Sequence, residues 1–290
     1  MESTIPVTLP GGYWLDGSCY REAELRPLNS SDEVFVVEAG EVLAPARRTT
    51  ALLSRCLKRL GPLESPVSAE QIGSLTVGDR EALLLHLRRL TLGERVRCVL
   101  TCPDRGCGEK LDLELDVGEL LLPPYPYTRQ HHETTVAENG TSYHVRFRLP
   151  TGADQEAVGT VARMDLKTAA GSVLERCIED VGAEGVDALE VLPPIVAERL
   201  PAVMADLDPQ AELRLALTCP ACQNGFSALL DAGTYFFQEL EGETKHLYRE
   251  VHTLALYYHW SEAEIMAMSN RKRGMYLGLL EEAFAEARSR

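Results

Sequence analysis

A chain of 290 residues, 45% of them hydrophobic, has room for one large domain or two small ones and enough apolar side chains for a sizeable core. Its 44 acidic and 29 basic residues leave a net charge of −15, which argues against a protein whose main task is to grip phosphate backbones, because that needs concentrated Lys and Arg. No stretch approaches the ~18–20 consecutive apolar residues of a membrane span, and the opening "MESTIPVTLPGG" lacks the basic and apolar regions of a secretory signal.

The expectation is therefore a chain folding in a reducing cytoplasm, with no nucleic-acid partner and no membrane insertion. Its eight cysteines then read as thiols or metal ligands rather than disulfides. The basic run Arg271-Lys272-Arg273 is too short to outweigh the global sign.

Residues 1–46 read as an N-terminal β segment. Gly11-Gly12 and Asp16-Gly17 are turn signals between apolar stretches, and "EVFVVEAG" reads as a further strand. Residues 47–95 read as a helical hairpin. Its first helix runs from Arg47 to Leu60 and stops at Gly61-Pro62. The second opens at Thr76 as N-cap with Asp79 in the first turn, buries Leu83, Leu84, Leu87 and Leu90, and ends at Gly93. Residues 121–210 read as a mostly helical insertion, broken at Gly182, Gly185 and Pro193-Pro194, with one strand near 142–149 after an Asn139-Gly140 turn. Residues 241–290 read as helical, and Ser261 with Glu264 forms a capping box.

Flanking the insertion, the chain writes one phrase twice. "RCVLTCPDRGCGEKLDLELDVG" and "RLALTCPACQNGFSALLDAG" align on Cys102 with Cys219 and on Cys107 with Cys222. After the second cysteine of each, an apolar residue stands at +4 (Leu111, Phe226), Asp at +9 (Asp116, Asp231) and Gly at +11 (Gly118, Gly233). Each phrase reads as strand, knuckle, strand, helix start. One knuckle supplies two thiolates and structural zinc takes four in a tetrahedron, so two knuckles must meet.

Residues 96–120 and 211–240 are accordingly read as the two halves of one zinc ribbon, with Cys102, Cys107, Cys219 and Cys222 as ligands. The fold class is α+β: a split four-cysteine zinc ribbon with an N-terminal β segment, a helical insertion and a C-terminal helical subdomain. Four thiolates leave the metal no open position, so the zinc would be structural. Two other readings stand beside it: buried, inert cysteines in a repeated hairpin, or a redox dithiol at Cys219 and Cys222. Cys98 aligns with Leu215 and reads as a buried apolar slot; Cys56 and Cys177 read as core, and Cys19 has no partner spacing.

No G-x-S-x-G, Walker A or H-E-x-x-H motif occurs. His131-His132 reads as a solvated loop, His86 and His246 as helix-surface residues, and Asp112, Glu114 and Asp116 as the solvated face of a strand. His252 and His259, seven apart, read as sharing a face with Tyr248 in packing or partner contact. The reading is of a protein that is not an enzyme. The C-terminal helices carry more Tyr, Trp, Met and Leu than a three-helix unit readily buries, and such residues are enriched at interfaces. The partner-facing candidates are Tyr248, His252, Tyr258, Trp260, Met266, Met268 and Tyr276.

"YYHWSEAEIMAMSNRKRGMYLGLLEEA" resembles short helical proteins encoded among the tail genes of contractile-tailed phages and phage-like contractile injection systems, including the small assembly chaperones that serve the tape measure protein. "ELRPLNSSDE", "LTVGDREALLLHLRRLTLGE", "FRLPTGAD" and "LTCPAC…LLD" resemble larger baseplate-hub or tail-assembly proteins of the same gene clusters. The resemblance implies a cytoplasmic assembly factor or a component of the assembled tail, with the hub, spike, tube or tape measure protein as partners. It carries the knuckles over as Cys102, Cys107, Cys219 and Cys222. The first, C-x4-C, departs from the usual C-x2-C by two inserted residues, which puts its loop geometry in question. A zinc-ribbon cargo adaptor outside any tail particle is the competing reading.

Overall fold

The computed structural model describes residues 4–183, 189 and 191–288, and their side chains apart from those of 243–245. The fold is mixed helix and strand. It begins with a hairpin, β1 (Ile5–Leu15) and β2 (Ser18–Leu25), closed at Asp16-Gly17. Both turn residues have positive φ, 49° and 75°, as a two-residue hairpin turn requires.

Gly11-Gly12 is not a turn. β1 runs through it, and the pairing register shifts between Thr8 and Tyr13. At this bulge the N–H groups of Gly11 and Gly12 turn onto the Asp79 carboxylate, with Gly11 N to Oδ1 at 2.8 Å and Gly12 N to Oδ2 at 3.0 Å. Gly12 adopts a φ of 99°, which L side chains rarely take.

The stretch "EVFVVEAG" is also not a strand. It lies in α1 (Ser30–Val42), so residues 1–46 are not all β. Its β-branched residues favour a strand locally, but Asn29 and Asp32 form a reciprocal capping box that starts a helix. Asp32 is fully buried and bonded to Arg26 and Arg55, and Val36 faces the core. Tertiary partners thus override the local preference.

The helix expected over Arg47–Leu60 ends early, as α2 (Pro45–Cys56). Leu57–Leu60 instead forms β3, with Leu57 opposite Leu25 and Leu60 opposite Ala23. β4 (Leu63–Glu64) completes an antiparallel sheet in the order β1-β2-β3-β4. After α3 (Ala69–Gly73) comes α4 (Val77–Leu92), with Thr76 as N-cap and Gly93 at the C-cap. Residues 47–95 are therefore two helices separated by a strand pair and a short helix, not a helical hairpin.

Helix α4 is buried on nearly every side. Leu83, Leu84 and Leu87 join the first core with Leu9, Leu25, Leu52, Leu57, Phe236 and Phe237. Leu85 joins a second core under the ribbon halves, with Val96, Val117 and Leu120. His86 is buried, not on the helix surface. Burial, with help from Arg89, brings its pKa down to about 4.

The first of the two segments read as ribbon halves contains β5 (Arg95–Thr101), β6 (Lys110–Asp116) and the short α5 (Val117–Leu120). Between the halves the insertion contains three strands, not one: β7 (His132–Glu138), β8 (Thr141–Phe147) and β9 (Ile178–Ala183). They form an antiparallel sheet in the order β7-β8-β9. Asn139-Gly140, at φ 50° and 84°, closes the β7–β8 hairpin. β9 forms because Val181 pairs with Val145 and both enter a core with Phe147, Cys177 and Val196. Gly182 thus lies in a strand opposite His144, and Gly185 lies outside the described residues. The helices are α6 (Gly152–Ala162), α7 (Leu166–Cys177) and α8 (Pro194–Leu207), the last opened by Pro193-Pro194.

The chain returns through a 3-10 turn (Pro209–Ala211) to β10 (Leu213–Thr218) and β11 (Gly225–Leu230). α9 (Ala232–Tyr258) then runs unbroken for 27 residues, so the second ribbon half and the C-terminal region share one helix. α10 (Glu262–Met266) and α11 (Asn270–Arg288) follow. Among the described residues, no helix is long and apolar enough to cross a membrane.

A buried polar junction ties these parts together beside the N-terminus of α4. Asp208, from the end of the insertion, accepts the Gly78 N–H at 2.9 Å and the Tyr125 hydroxyl at 2.8 Å. Tyr125 lies in the proline-interrupted connector, and its hydroxyl accepts the Gln210 N–H at 3.0 Å. Asp79, fully buried, receives the β1 bulge. Burial first, then the neighbouring Asp208 charge, pushes its pKa up to about 6.

Candidate metal centre

Both knuckles are turns between paired strands. In β5–β6, Leu100 faces Leu111; in β10–β11, Leu217 faces Phe226. Inward apolar residues alternate with exposed ones; Asp112, Glu114 and Asp116 are exposed, and so are Val99, Ala216 and Leu229.

The two turns close by the same two devices. The Cys102 N–H donates to the Glu109 carbonyl at 2.8 Å, and the Cys219 N–H donates to the Asn224 carbonyl at 3.0 Å. In each case the acceptor stands two residues after the second cysteine. The residue immediately after that cysteine is left-handed: Gly108 at φ 61° and Gln223 at φ 60°. This correspondence is invisible in the residue types, since glycine takes that conformation freely and glutamine does not. The two extra residues of the first loop fit by an added turn, in which the Asp104 carbonyl accepts from Cys107 and Gly108 and the Asp104 carboxylate accepts from Gly106.

The Asp at +9 caps the next helix in both halves. The Asp116 side chain accepts the Gly118 N–H, and the Asp231 side chain accepts the Thr234 N–H. Gly233 is small because a Cβ there would press on Leu84 Cδ1 at 3.1 Å.

All four sulfurs lie within 4.8 Å of one another, although 112 to 120 residues separate the two knuckles in sequence. The Sγ atoms of Cys102 and Cys222 are 3.7 Å apart, as are those of Cys107 and Cys219. A disulfide would bring sulfurs to about 2.05 Å. A tetrahedron of thiolates about 2.3 Å from a zinc ion has edges of about 3.8 Å. The spacing therefore fits a four-thiolate metal site and does not fit disulfides.

Backbone N–H groups aimed at the sulfurs add to this fit. Those of Cys222 and Ala221 bring the Cys219 thiol down to about 7. The Asp104 N–H acts the same way on Cys102, but burial and the three neighbouring thiols outweigh it and hold that thiol raised. Cys102 and Cys219 are buried with Leu111, Phe226 packs against them, and Cys222 is exposed. Cys98 is buried opposite Leu113 and is not in the cluster. Cys56 and Cys177 are fully buried in the first and insertion cores.

The sequence model of one protein family, described as "T4 bacteriophage base plate protein", matches residues 47–238. The chain belongs to this family. The matched segment starts within α2, takes in both knuckles and the whole insertion, and ends in the first part of α9. Searches of curated proteins and of solved structures found no match.

Beyond the segment shared with the baseplate family lie the C-terminal helices, and the partner-facing candidates divide there. Tyr258, Trp260, Met266 and Tyr276 pack against a buried cluster of Leu247, Val251, Leu254 and Ile265. Trp260 stacks on Tyr258 at 4.5 Å and meets Tyr276 edge-on at 4.7 Å. Met268 is half-buried, and its carbonyl accepts from the Ser30 N–H at 3.1 Å. Only Tyr248 and His252 face solvent, and the exposed Leu256 follows them at the same four-residue spacing on α9. His259 does not share that face, because it is the left-handed C-cap of α9.

The other histidines correct the sequence reading once more. His132 is buried at the start of β7 and stacks on Phe147 at 5.6 Å, while His131 is exposed and bonded to Glu179.

Proposed function

We propose that this chain is a non-enzymatic structural or assembly component of the baseplate hub of a contractile tail or contractile injection system, stapled by one zinc ion and acting through protein–protein contacts. The observation that carries this reading is the family match over 47–238, a segment that encloses all four clustered cysteines. Cys102, Cys107, Cys219 and Cys222 would hold the metal. Zinc would supply a closed tetrahedral crosslink with no position open to substrate, hence a structural contribution.

Each half-ribbon is only a two-stranded hairpin, and an isolated hairpin is marginal in water. Joining the halves fixes the two ends of the insertion side by side and seats the start of α9 against α4. The exposed α9 face of Tyr248, His252 and Leu256 is the surface proposed to meet a hub, spike, tube or tape measure subunit.

Two measurements test the reading. The purified chain should contain one zinc per chain, and a quadruple Cys→Ser variant should largely fail to fold, since structural zinc supplies roughly 10 kcal/mol or more in small peptides. Wild type that is purified without zinc, together with a quadruple variant that folds and melts as wild type does, would refute the zinc staple. In particles purified by sedimentation the chain should appear at fixed stoichiometry. Finding it only in soluble complexes with the tape measure protein would mean an assembly chaperone instead.

A further inference from the structure

The outward face of α11 is unlike the rest of the C-terminal unit. Its inner face is fully engaged: Arg273 is buried and bonded to Ser30, Glu33 and Glu250, while Tyr276, Leu277 and Leu280 pack on the α9 cluster. Outward, Met275 is 64% and Leu279 53% exposed. Beside them stand Gly274 and Gly278, where an added Cβ would meet nothing within 4 Å. Glycine is a poor helix former, and none of the described residues uses the space these two leave. Exposed apolar residues flanked by unneeded glycines describe a helix face shaped for the close approach of another helix.

The charges say which helix. Lys272, Met275, Leu279 and Glu282 recur at intervals of three, four and three residues, the spacing of a helix–helix seam, and all four are exposed. The seam is basic at its N-terminal end, with Arg271 beside Lys272, and acidic at its C-terminal end, with Glu281 beside Glu282. A uniformly acidic or basic partner would match only one end. A parallel copy would set Lys272 against Lys272. An antiparallel copy, related by a two-fold axis at residue 277, sets Met275 against Leu279 and Lys272 against Glu282, twice over.

We propose that α11 is a self-association helix, whose outward face pairs with α11 of a second copy of this chain in an antiparallel, two-fold seam. The interface is small. A 19-residue helix is about 28 Å long, and one such seam falls at or below the lower end of specific interfaces. The dimer is therefore weak, with a dissociation constant on the order of 1–100 µM, and loosens with salt.

Sedimentation velocity of the full, zinc-loaded chain from roughly 1 to 200 µM tests this over the range that interface size implies. Dimer should build up with concentration. Leu279→Glu should abolish it. Lys272→Glu and Glu282→Lys should each weaken it about tenfold or more, and the two together should restore it, because the pair is only exchanged. All four positions are exposed, so far-UV circular dichroism should be unchanged. A chain that stays monomeric throughout, or a dimer that survives Leu279→Glu and both single reversals, overturns the proposal. So does a monomer whose Leu279→Glu variant alone drops out of assembled particles, because a different subunit would then cover the face.

Discussion

Gly78 donates its N–H to Asp208 Oδ2 at 2.9 Å, and any Cβ on Gly78 would stand inside that carboxylate. By helix propensity alone, Gly78→Ala in the first turn of α4 should stabilise by a few tenths to about 1 kcal/mol. Here the sign should reverse. The junction has no slack, and the variant should lose roughly 2 kcal/mol or more, read as a lower urea midpoint at unchanged slope.

The same junction sets part of the pH dependence. The Asp79 pKa is raised to about 6, above its ordinary value of 3.8. Its contribution to stability is therefore full below the ordinary value and is lost as pH rises through about 6, roughly 2–3 kcal/mol in all. His86 works in the opposite direction. Its pKa is lowered to about 4, so its contribution is present above its ordinary 6.5 and is lost as pH falls toward 4. The two oppose each other over one window and flatten the wild-type profile. Asp79→Asn should tilt stability toward neutral pH, and His86→Gln should tilt it toward pH 4 to 5. Chemical denaturation at pH 4.5, 6 and 7.5 checks both; parallel profiles for the two variants would contradict the opposition.

Gln223 holds a left-handed φ of 60° at the position where the first knuckle has Gly108. Gln223→Gly should raise the melting temperature, gaining up to about 1 kcal/mol less the side-chain bond to the Pro220 carbonyl. Gly108→Val, which puts a β-branched side chain in that conformation, should cost more than this and lower zinc retention under a chelator challenge.

The C-terminal aromatics separate packing from contact. Trp260→Ala should destabilise by roughly 2–3 kcal/mol, because the indole is held between Tyr258 and Tyr276. Tyr248→Ala and His252→Ala should change stability by no more than roughly 0.5 kcal/mol. They should instead reduce incorporation into particles, measured by co-sedimentation with the other tail subunits.

What the sequence disclosed was local. Asp16-Gly17, Asn139-Gly140, Thr76 and the Ser261–Glu264 box each act within four residues, and each does in the structure what its chemistry implies. That the four cysteines come together was legible for another reason: one strand–turn–strand phrase is written twice, and such a repeat is informative at any distance. The failures are tertiary. Gly11-Gly12 forms a bulge, not a turn, because its partner Asp79 lies 67 to 68 residues away. The Val-rich start of α1 became helix, and Leu57–Leu60 left α2, because buried partners from elsewhere decided the matter. His86, within a leucine-rich helix, and His132, in a polar-looking connector, are both covered by the packing of other elements. Gln223 gave no signal at all, since a left-handed glutamine looks like any other.

α9 has a mechanical meaning. Its 27 residues span about 40 Å as one rod. One end is capped by Asp231, just past the second knuckle, and the other carries α10 and α11. No proline interrupts it, so it sets a fixed spacing between the hairpin at one end and the C-terminal helices at the other. The four clustered cysteines stand just before the near end of that rod.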